Sequence, residues 1–247
     1  MVDIHSHILP FVDDGSDSLE MSFEMLNSAR EASTTAIVMT PHSNLYENDK
    51  NLLYEMQFVF DAFKQKVQKQ GIDIDIYLGA EVFADDNIAD LAQRHLVPTV
   101  NGSRFMLIEF DFYSSPNYIT DTVRALSKMG FVPVIAHPER YECIKKFHSL
   151  SMDFMNSGGL LQLNKGSLTS DFGLSARKAA YELINHRTAQ FVASDAHSCG
   201  VRNTDMELAY DIVADEFDRE TADRLFTVNP GVIIENGRLS INRPIAF

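Results

Sequence analysis

Cysteine is scarce in this 247-residue chain. Cys143 and Cys199 are its only two, too few for a disulfide framework, and a reducing, cytoplasmic setting is expected. Basic residues are also outnumbered, 21 Lys and Arg against 35 Asp and Glu, and a net charge of −14 repels polyanions. Nucleic acid is therefore a poor candidate partner. No stretch of about 18 apolar residues occurs, which excludes a membrane-spanning helix. The opening MVDIHSHILP has neither the basic start nor the long apolar centre of a secretory signal. Fixed-period repeats, low-complexity tracts and Gly/Pro/Ser-rich linkers are missing too, so residues 1–247 read as a single domain.

What is present is an ordinary globular composition, 45% hydrophobic and 23% charged, laid out as short apolar runs between amphipathic stretches. The runs are Met1–His5, Thr35–Thr40, Asp73–Ala80, Phe105–Phe110, Val132–Ala136, Leu160–Leu163 and Gln190–Ala193. They have the composition of buried parallel strands. Helical spacing predicts Leu19–Ala32 behind a capping Asp17-Ser18 pair, Leu52–Gln70 ending at Gly71, and Ile119–Met129 ending at Gly130. Leu174–His186, Thr204–Phe217 and Glu220–Phe226 complete the set. Seven strand–helix alternations without a glycine-rich phosphate turn favour an α/β barrel over a doubly wound sheet.

Six of the seven runs finish on His, Asp or Glu. The first leads into His5 and His7, the second into His42 and the third into Glu81; the later ones lead into Glu109, His137, and Asp195 with His197. Catalytic groups of parallel barrels sit at these strand ends. His5 and His7 are two apart on an extended segment, so both rings face one side and can grip one ion; Asp195 and His197 repeat the spacing. With Asp14 the candidate ligands number nine, too many for one ion with about three or four protein ligands. Two or three divalent ions are implied, with Glu81 able to bridge. Imidazole and carboxylate together suit Mn, Fe or Zn. Such clusters turn bound water into hydroxide and clamp the oxygens of a phosphoryl displacement. Arg140 in HPERY and Arg202 lie close behind two of the ligands, and a guanidinium fork matches phosphate. His95, His148 and His186 lack this placement.

The opening MVDIHSHILPFVDDG resembles the Asp-x-His-x-His start of the polymerase-and-histidinol-phosphatase (PHP) superfamily. Together with TPHSN, GAEVF, LIEF, VIAHPERY and ASDAH, in that order, it is similar to bacterial manganese-dependent tyrosine phosphatases of capsule and exopolysaccharide gene clusters. The resemblance implies a distorted TIM-like (β/α)7 barrel of PHP type with three divalent ions, manganese foremost and iron or zinc also acceptable. One ion would be held by His5, His7, Glu81 and Asp195, a second by Glu81, Glu109 and His137, and a third by Asp14, His42 and His197. Arg140 and Arg202 would bind phosphate, and Asp3 would orient a ligand. The implied partner is a phosphorylated tyrosine autokinase with a tyrosine-rich tail.

The residues bear on this separately. A thiol phosphatase needs an arginine six positions after its cysteine, but Ser149 follows Cys143 and Asp205 follows Cys199 at that distance. A cysteine nucleophile is excluded, leaving a metal-activated hydroxide. A small-molecule phosphomonoesterase such as histidinol phosphatase is the alternative enzyme reading, and a non-catalytic metal-binding docking subunit the alternative of another class. Tyr46, Phe112, Tyr113 and Tyr118 fall near strand ends and are candidates to flank a substrate ring.

Overall fold

A computed structural model describes residues 1–43 and 50–247. Nine strand segments appear among them: β1 (Val2–Ser6), β2 (Ala36–Met39), β3 (His42–Ser43), β4 (Asp75–Leu78), β5 (Glu81–Phe83), β6 (Phe105–Glu109), β7 (Val132–Ala136), β8 (Leu160–Asn164) and β9 (Phe191–Ala193). Every ladder is parallel, in the orders β1-β2-β4 and β3-β5-β6-β7-β8-β9. Seven of the nine fall on the expected runs, while β3 and β5 lie just beyond the ends of the second and third and extend them past a break.

The breaks have local causes. Pro41, which has no N–H to donate, separates β2 from β3. Between β4 and β5, a Cβ on Gly79 would lie 3.1 Å from Val38 Cγ1 and 3.4 Å from Val100 Cα, so a glycine is needed where the chain entering β6 crosses beneath. Backbone bonds still span the gap, from Gly79 N–H to Met39 O (2.8 Å) and from Glu81 N–H to Thr40 O (3.3 Å). The ring closes where Ser6 bridges Ala196 and the amides of Asp195 and His7 donate to His5 O and Ala196 O, both at 2.8 Å. This is a distorted seven-stranded parallel barrel.

The helices are α1 (Leu19–Glu31), α2 (Lys50–Gln70), α3 (Ile88–Gln93), α4 (Pro116–Lys128), α5 (Glu142–Lys146), α6 (Leu150–Asn156), α7 (Lys165–Leu168), α8 (Leu174–Asn185), α9 (Glu207–Glu216), α10 (Arg219–Asp223) and α11 (Asn229–Ile234). Ser18 Oγ accepts from Met21 N–H to cap α1. Gly71 and Gly130 take left-handed backbone (φ 67° and 94°) behind α2 and α4, the conformation that favours glycine after a helix. Pro116 and a Ser115 cap start α4 three residues before the periodicity does. The segment expected at 204–217 begins only at Glu207, and that expected at 220–226 divides into α10 and a π-turn over Arg224–Val228. From α2, Phe60, Phe63 and Val67 pack with Met25, Leu26, Ile37 and Met39, the core role expected of its apolar stripe. No helix among the described residues is long and apolar enough to cross a membrane.

Alternation along the strands carries the barrel interior from apolar to polar. Phe105 and Leu107 of β6, Leu160 of β8, and Phe191 and Ala193 of β9 share one buried cluster with Val2, Ile4, Val38, Val134 and Ala136. The next positions in step are Glu109, then Gln162 and Asn164, then Asp195. An apolar floor thus gives way to a polar mouth at the C-terminal strand ends.

Candidate active site at the barrel mouth

Glu81, at the start of β5 and almost fully buried, is the hub. Its Oε2 lies 3.2 Å from His5 Nε2, 3.4 Å from His7 Nε2 and 3.2 Å from His42 Nδ1, while Oε1 lies 3.0 Å from His137 Nε2. Glu109 Oε1 is 3.6 Å from the same His137 nitrogen. Asp14 Oδ1 is 3.5 Å from His42 Nε2 and 3.4 Å from His197 Nε2. Asp195 Oδ1 faces His5, His7 and His197 at 3.5–3.6 Å. Arg202 Nη2 donates to Asp195 Oδ1 (2.6 Å), and Arg140 Nη1 is 3.6 Å from Asp195 Oδ2. All eleven residues singled out from the sequence converge here. Two sit on left-handed backbone, His137 at φ 34° and Asp195 at φ 50°. Such strain in residues other than glycine concentrates at functional sites. At His137 it follows the inward-facing Ala136 and brings a ring to the mouth that strand alternation would aim elsewhere.

The donor set fits divalent metal ions. His5 Nε2, His7 Nε2 and Glu81 Oε2 form a triangle with edges of 3.2, 3.2 and 3.4 Å. Ligands about 2.1 Å from a common centre stand roughly 3.0–3.4 Å apart. His7, Asp14, His42 and His197 form a second group, and His42, Glu81 and Glu109 a third, their ligand atoms within 4.8 Å of one another. The electrostatics agree. Burial by itself would lower His5 and His7, yet Glu81 and Asp195 raise His5 to about 9, and Asp13 and Glu81 raise His7 to about 10. Burial and the His7 charge push His197 down to about 4. Burial, with the Glu81 charge, raises Glu109. Carboxylates this crowded attract cations, and the imidazoles supply the remaining lone pairs.

Residues 1–235 match the family described as capsular polysaccharide synthesis, CpsB/CapC. The chain belongs to the CpsB/CapC family. The tyrosine-protein phosphatase YwqE of Bacillus subtilis is 32% identical over 250 residues, covering 100% of this chain and 94% of YwqE. The tyrosine-protein phosphatase CpsB of Streptococcus agalactiae is 29% identical over 243 residues, covering 96% and 99%. A crystal structure from work on YwqE of B. subtilis and CpsB of Streptococcus pneumoniae, described as metal-dependent tyrosine phosphatases, matches with a TM-score of 0.92 at 30% identity, over 100% of this chain and 99% of its own.

In this CpsB/CapC chain more groups orient the ligands than the motif suggests, and Asp3 acts through backbone. Asp3 does not reach an imidazole; its Oδ1 accepts from the backbone amides of His5 (3.2 Å) and Ser194 (3.1 Å), tying β1 to the segment after β9. The ring-orienting carboxylate is Asp13, which takes His7 Nδ1 at 2.6 Å and the amides of His42 and Gly15 at 3.0 Å each. Gln162 Oε1 receives His5 Nδ1 (2.9 Å), and Asn164 Nδ2 donates to Asp195 Oδ2 (2.5 Å). None of these three stands out in the sequence. Asp13 sits beside Asp14 in a plain DDG turn, and neutral amides on β8 carry no ligand signature; the one signal is their place on inward positions at strand ends.

The aromatic candidates part company. Phe112 packs on the Arg140 guanidinium, whose Cζ is 4.7 Å from its ring and 4.2 Å from that of Phe172. Tyr118 belongs to the first turn of α4 and its hydroxyl donates to Ala84 O. Tyr113 is exposed. Tyr46 lies outside the described residues. His148 and His186 bond backbone carbonyls of Ile144 and Ile245, away from the cluster.

Proposed function

We propose that this chain is a metal-dependent tyrosine phosphatase of capsular polysaccharide synthesis. It works in the cytoplasm on a phosphorylated tyrosine autokinase with a tyrosine-rich tail. The observation that carries this reading is Asp195, one carboxylate whose Oδ1 lies against His5, His7, His197 and Arg202 and whose Oδ2 lies against Arg140. A metal-holding set and a phosphate-holding set therefore share one pocket. Three divalent ions, manganese first and iron or zinc also suitable, would be held by His5, His7, Glu81 and Asp195, by Glu81, Glu109 and His137, and by Asp14, His42 and His197, with Glu81 common to two. Bound there, such ions lower the pKa of water to near neutrality and offset phosphoryl charge.

The chain's own part is geometric and electrostatic. Asp13 and Gln162 fix the Nδ1 faces of His7 and His5 and so present both Nε2 atoms to Glu81. Arg140 and Arg202 are placed to meet phosphate oxygens, where cationic donors stabilise charge gathering in the transition state. Tyrosine, with a pKa of about 10, leaves far more readily than an alkoxide, so no strong proton donor is required of the site. The thiols are unsuited to nucleophilic attack, since burial raises both Cys143 and Cys199.

The test compares turnover of a phosphotyrosine peptide, a phosphoserine peptide and histidinol phosphate by the manganese-loaded protein. Preference for phosphotyrosine is expected. Equal or better turnover of histidinol phosphate would move the assignment to a small-molecule phosphomonoesterase, and no turnover of any of the three to a docking subunit.

A further inference from the structure

β8 is the barrel strand whose end supplies no His, Asp or Glu to the cluster, yet the chain leaving it touches both arginines' surroundings. Asn164 holds Asp195 Oδ2 through its side-chain amide, and its own backbone N–H donates to buried Glu139 (2.9 Å). Lys165 comes next, in α7. Its side chain is buried, and its Nζ donates to Asn203 Oδ1 and to Asp205 O, both at 2.5 Å. Arg202 immediately precedes that pair of acceptors. The Arg202 carbonyl in turn accepts from the amides of His197 (2.8 Å) and Ser198 (3.1 Å), so the Arg202 loop is pinned on both sides. An ammonium out of water needs its acceptors, and it holds the loop where they can reach it.

Seven residues on, the Phe172 ring packs on Arg140. The guanidinium carbon sits 4.2 Å from this ring and 4.7 Å from Phe112. A guanidinium between two rings keeps its N–H edges in one plane, free to meet oxygens edge-on. Gly166 makes room for this: a Cβ there would stand 2.7 Å from Phe172 Cε2. Residues 164–172 thus reach one arginine through a buried amine and the other through an aromatic face.

We propose that the connection from Asn164 to Phe172 is the positioning element for both arginines, with Lys165 setting the Arg202 loop and Phe172 setting the plane of Arg140. This rests on the reading of Arg140 and Arg202 as phosphate-binding groups. No hydrogen bond or ion pair joins Lys165 or Phe172 directly to a candidate metal ligand, so their effect falls first on phosphate affinity, and metal stoichiometry is measured beside it.

The test measures inhibition of phosphotyrosine-peptide turnover by inorganic phosphate, alongside metal stoichiometry and melting temperature. Lys165→Met is expected to weaken phosphate inhibition roughly tenfold, the scale of one lost charge-assisted hydrogen bond, with metal retained. Phe172→Leu is expected to weaken it roughly three- to tenfold, and Gly166→Ala, which displaces the same ring, to follow it. If Lys165→Met does not fold, Asn203→Ala removes the same hydrogen bond from the loop side. Unchanged phosphate inhibition in folded, metal-loaded variants of either residue overturns that half of the proposal. Arg140→Ala and Arg202→Ala separate the two levels. If they also leave phosphate inhibition unchanged, the arginine assignment itself is wrong; if they weaken it while the Lys165 and Phe172 variants do not, only the positioning role falls.

Discussion

Replacing Asp13 by Ala removes the acceptor of three donors at once: His7 Nδ1 at 2.6 Å, and the amides of His42 and Gly15 at 3.0 Å each. The amides are those of His42, at the start of β3, and of Gly15, in the turn after Asp13, and neither is a candidate metal-ligating atom. His7 is such a ligand, and its ring is buried. The loss therefore falls on the orientation and basicity of His7. Carboxylates behind a ligating imidazole are worth about 10–100-fold in metal affinity, and a charge-assisted hydrogen bond about 1.5–3 kcal/mol, so the two scales agree. Asp13→Asn keeps the shape and can still offer one oxygen to Nδ1, and should fall between Ala and the natural residue. The assay is competition for manganese against a fluorescent chelator, followed by turnover at saturating metal. Expected are an affinity about 10–100-fold weaker for Asp13→Ala and recovery of most turnover once metal saturates. Natural affinity in Asp13→Ala would refute the orienting role. Lost turnover at unchanged affinity would place Asp13 on the substrate instead.

Three further outcomes are expected. Removing metal with a chelator should abolish turnover and lower the melting temperature, since a ligand at a hundred times its Kd adds about 2.7 kcal/mol; a melting curve indifferent to manganese would contradict the cluster. Alkylation of the free thiols with iodoacetamide should leave turnover intact, and loss of activity in proportion to labelled Cys143 or Cys199 would reopen thiol chemistry. Asp218→Ala should cost about 1 kcal/mol in urea unfolding, because Asp218 Oδ1 caps α10 at Thr221 N–H. That hydrogen bond holds the Asp218 pKa below its usual value in the folded chain, so its stabilisation is present above about pH 4 and fades as pH falls through the folded-state value. A difference between variant and natural protein that persisted undiminished at pH 2 would argue against the cap.

Much of this architecture is legible in the amino-acid order alone, and the reason is periodic. Buried parallel strands such as Phe105–Glu109 and Val132–Ala136 are short apolar runs whose last residues must face the mouth, so fold and site announce themselves in the same positions. What escapes has equally physical grounds. The break at Gly79 depends on the close approach of Val100, which no local pattern reports. α3, α5, α6 and α7 are too short for an amphipathic period to show. Asp3 and Asp13 take different duties, which only the folded chain reveals, one carboxylate meeting backbone and the other a ring. Gln162, Asn164 and Lys165 resemble any polar residues until their partners, far along the chain, are in place.

The seam where β1 meets the segment after β9 has a consequence for biosynthesis. Asp3 and Ser194 are joined across 191 positions, and His5 and His7 wait on Asp195 and His197 from that same distant stretch. During translation the first two imidazoles leave the ribosome long before their counterparts exist. A nascent chain therefore offers incoming ions only a fragmentary chelate. Completion of the sites that use Asp195 and His197 is timed by the last strand to arrive.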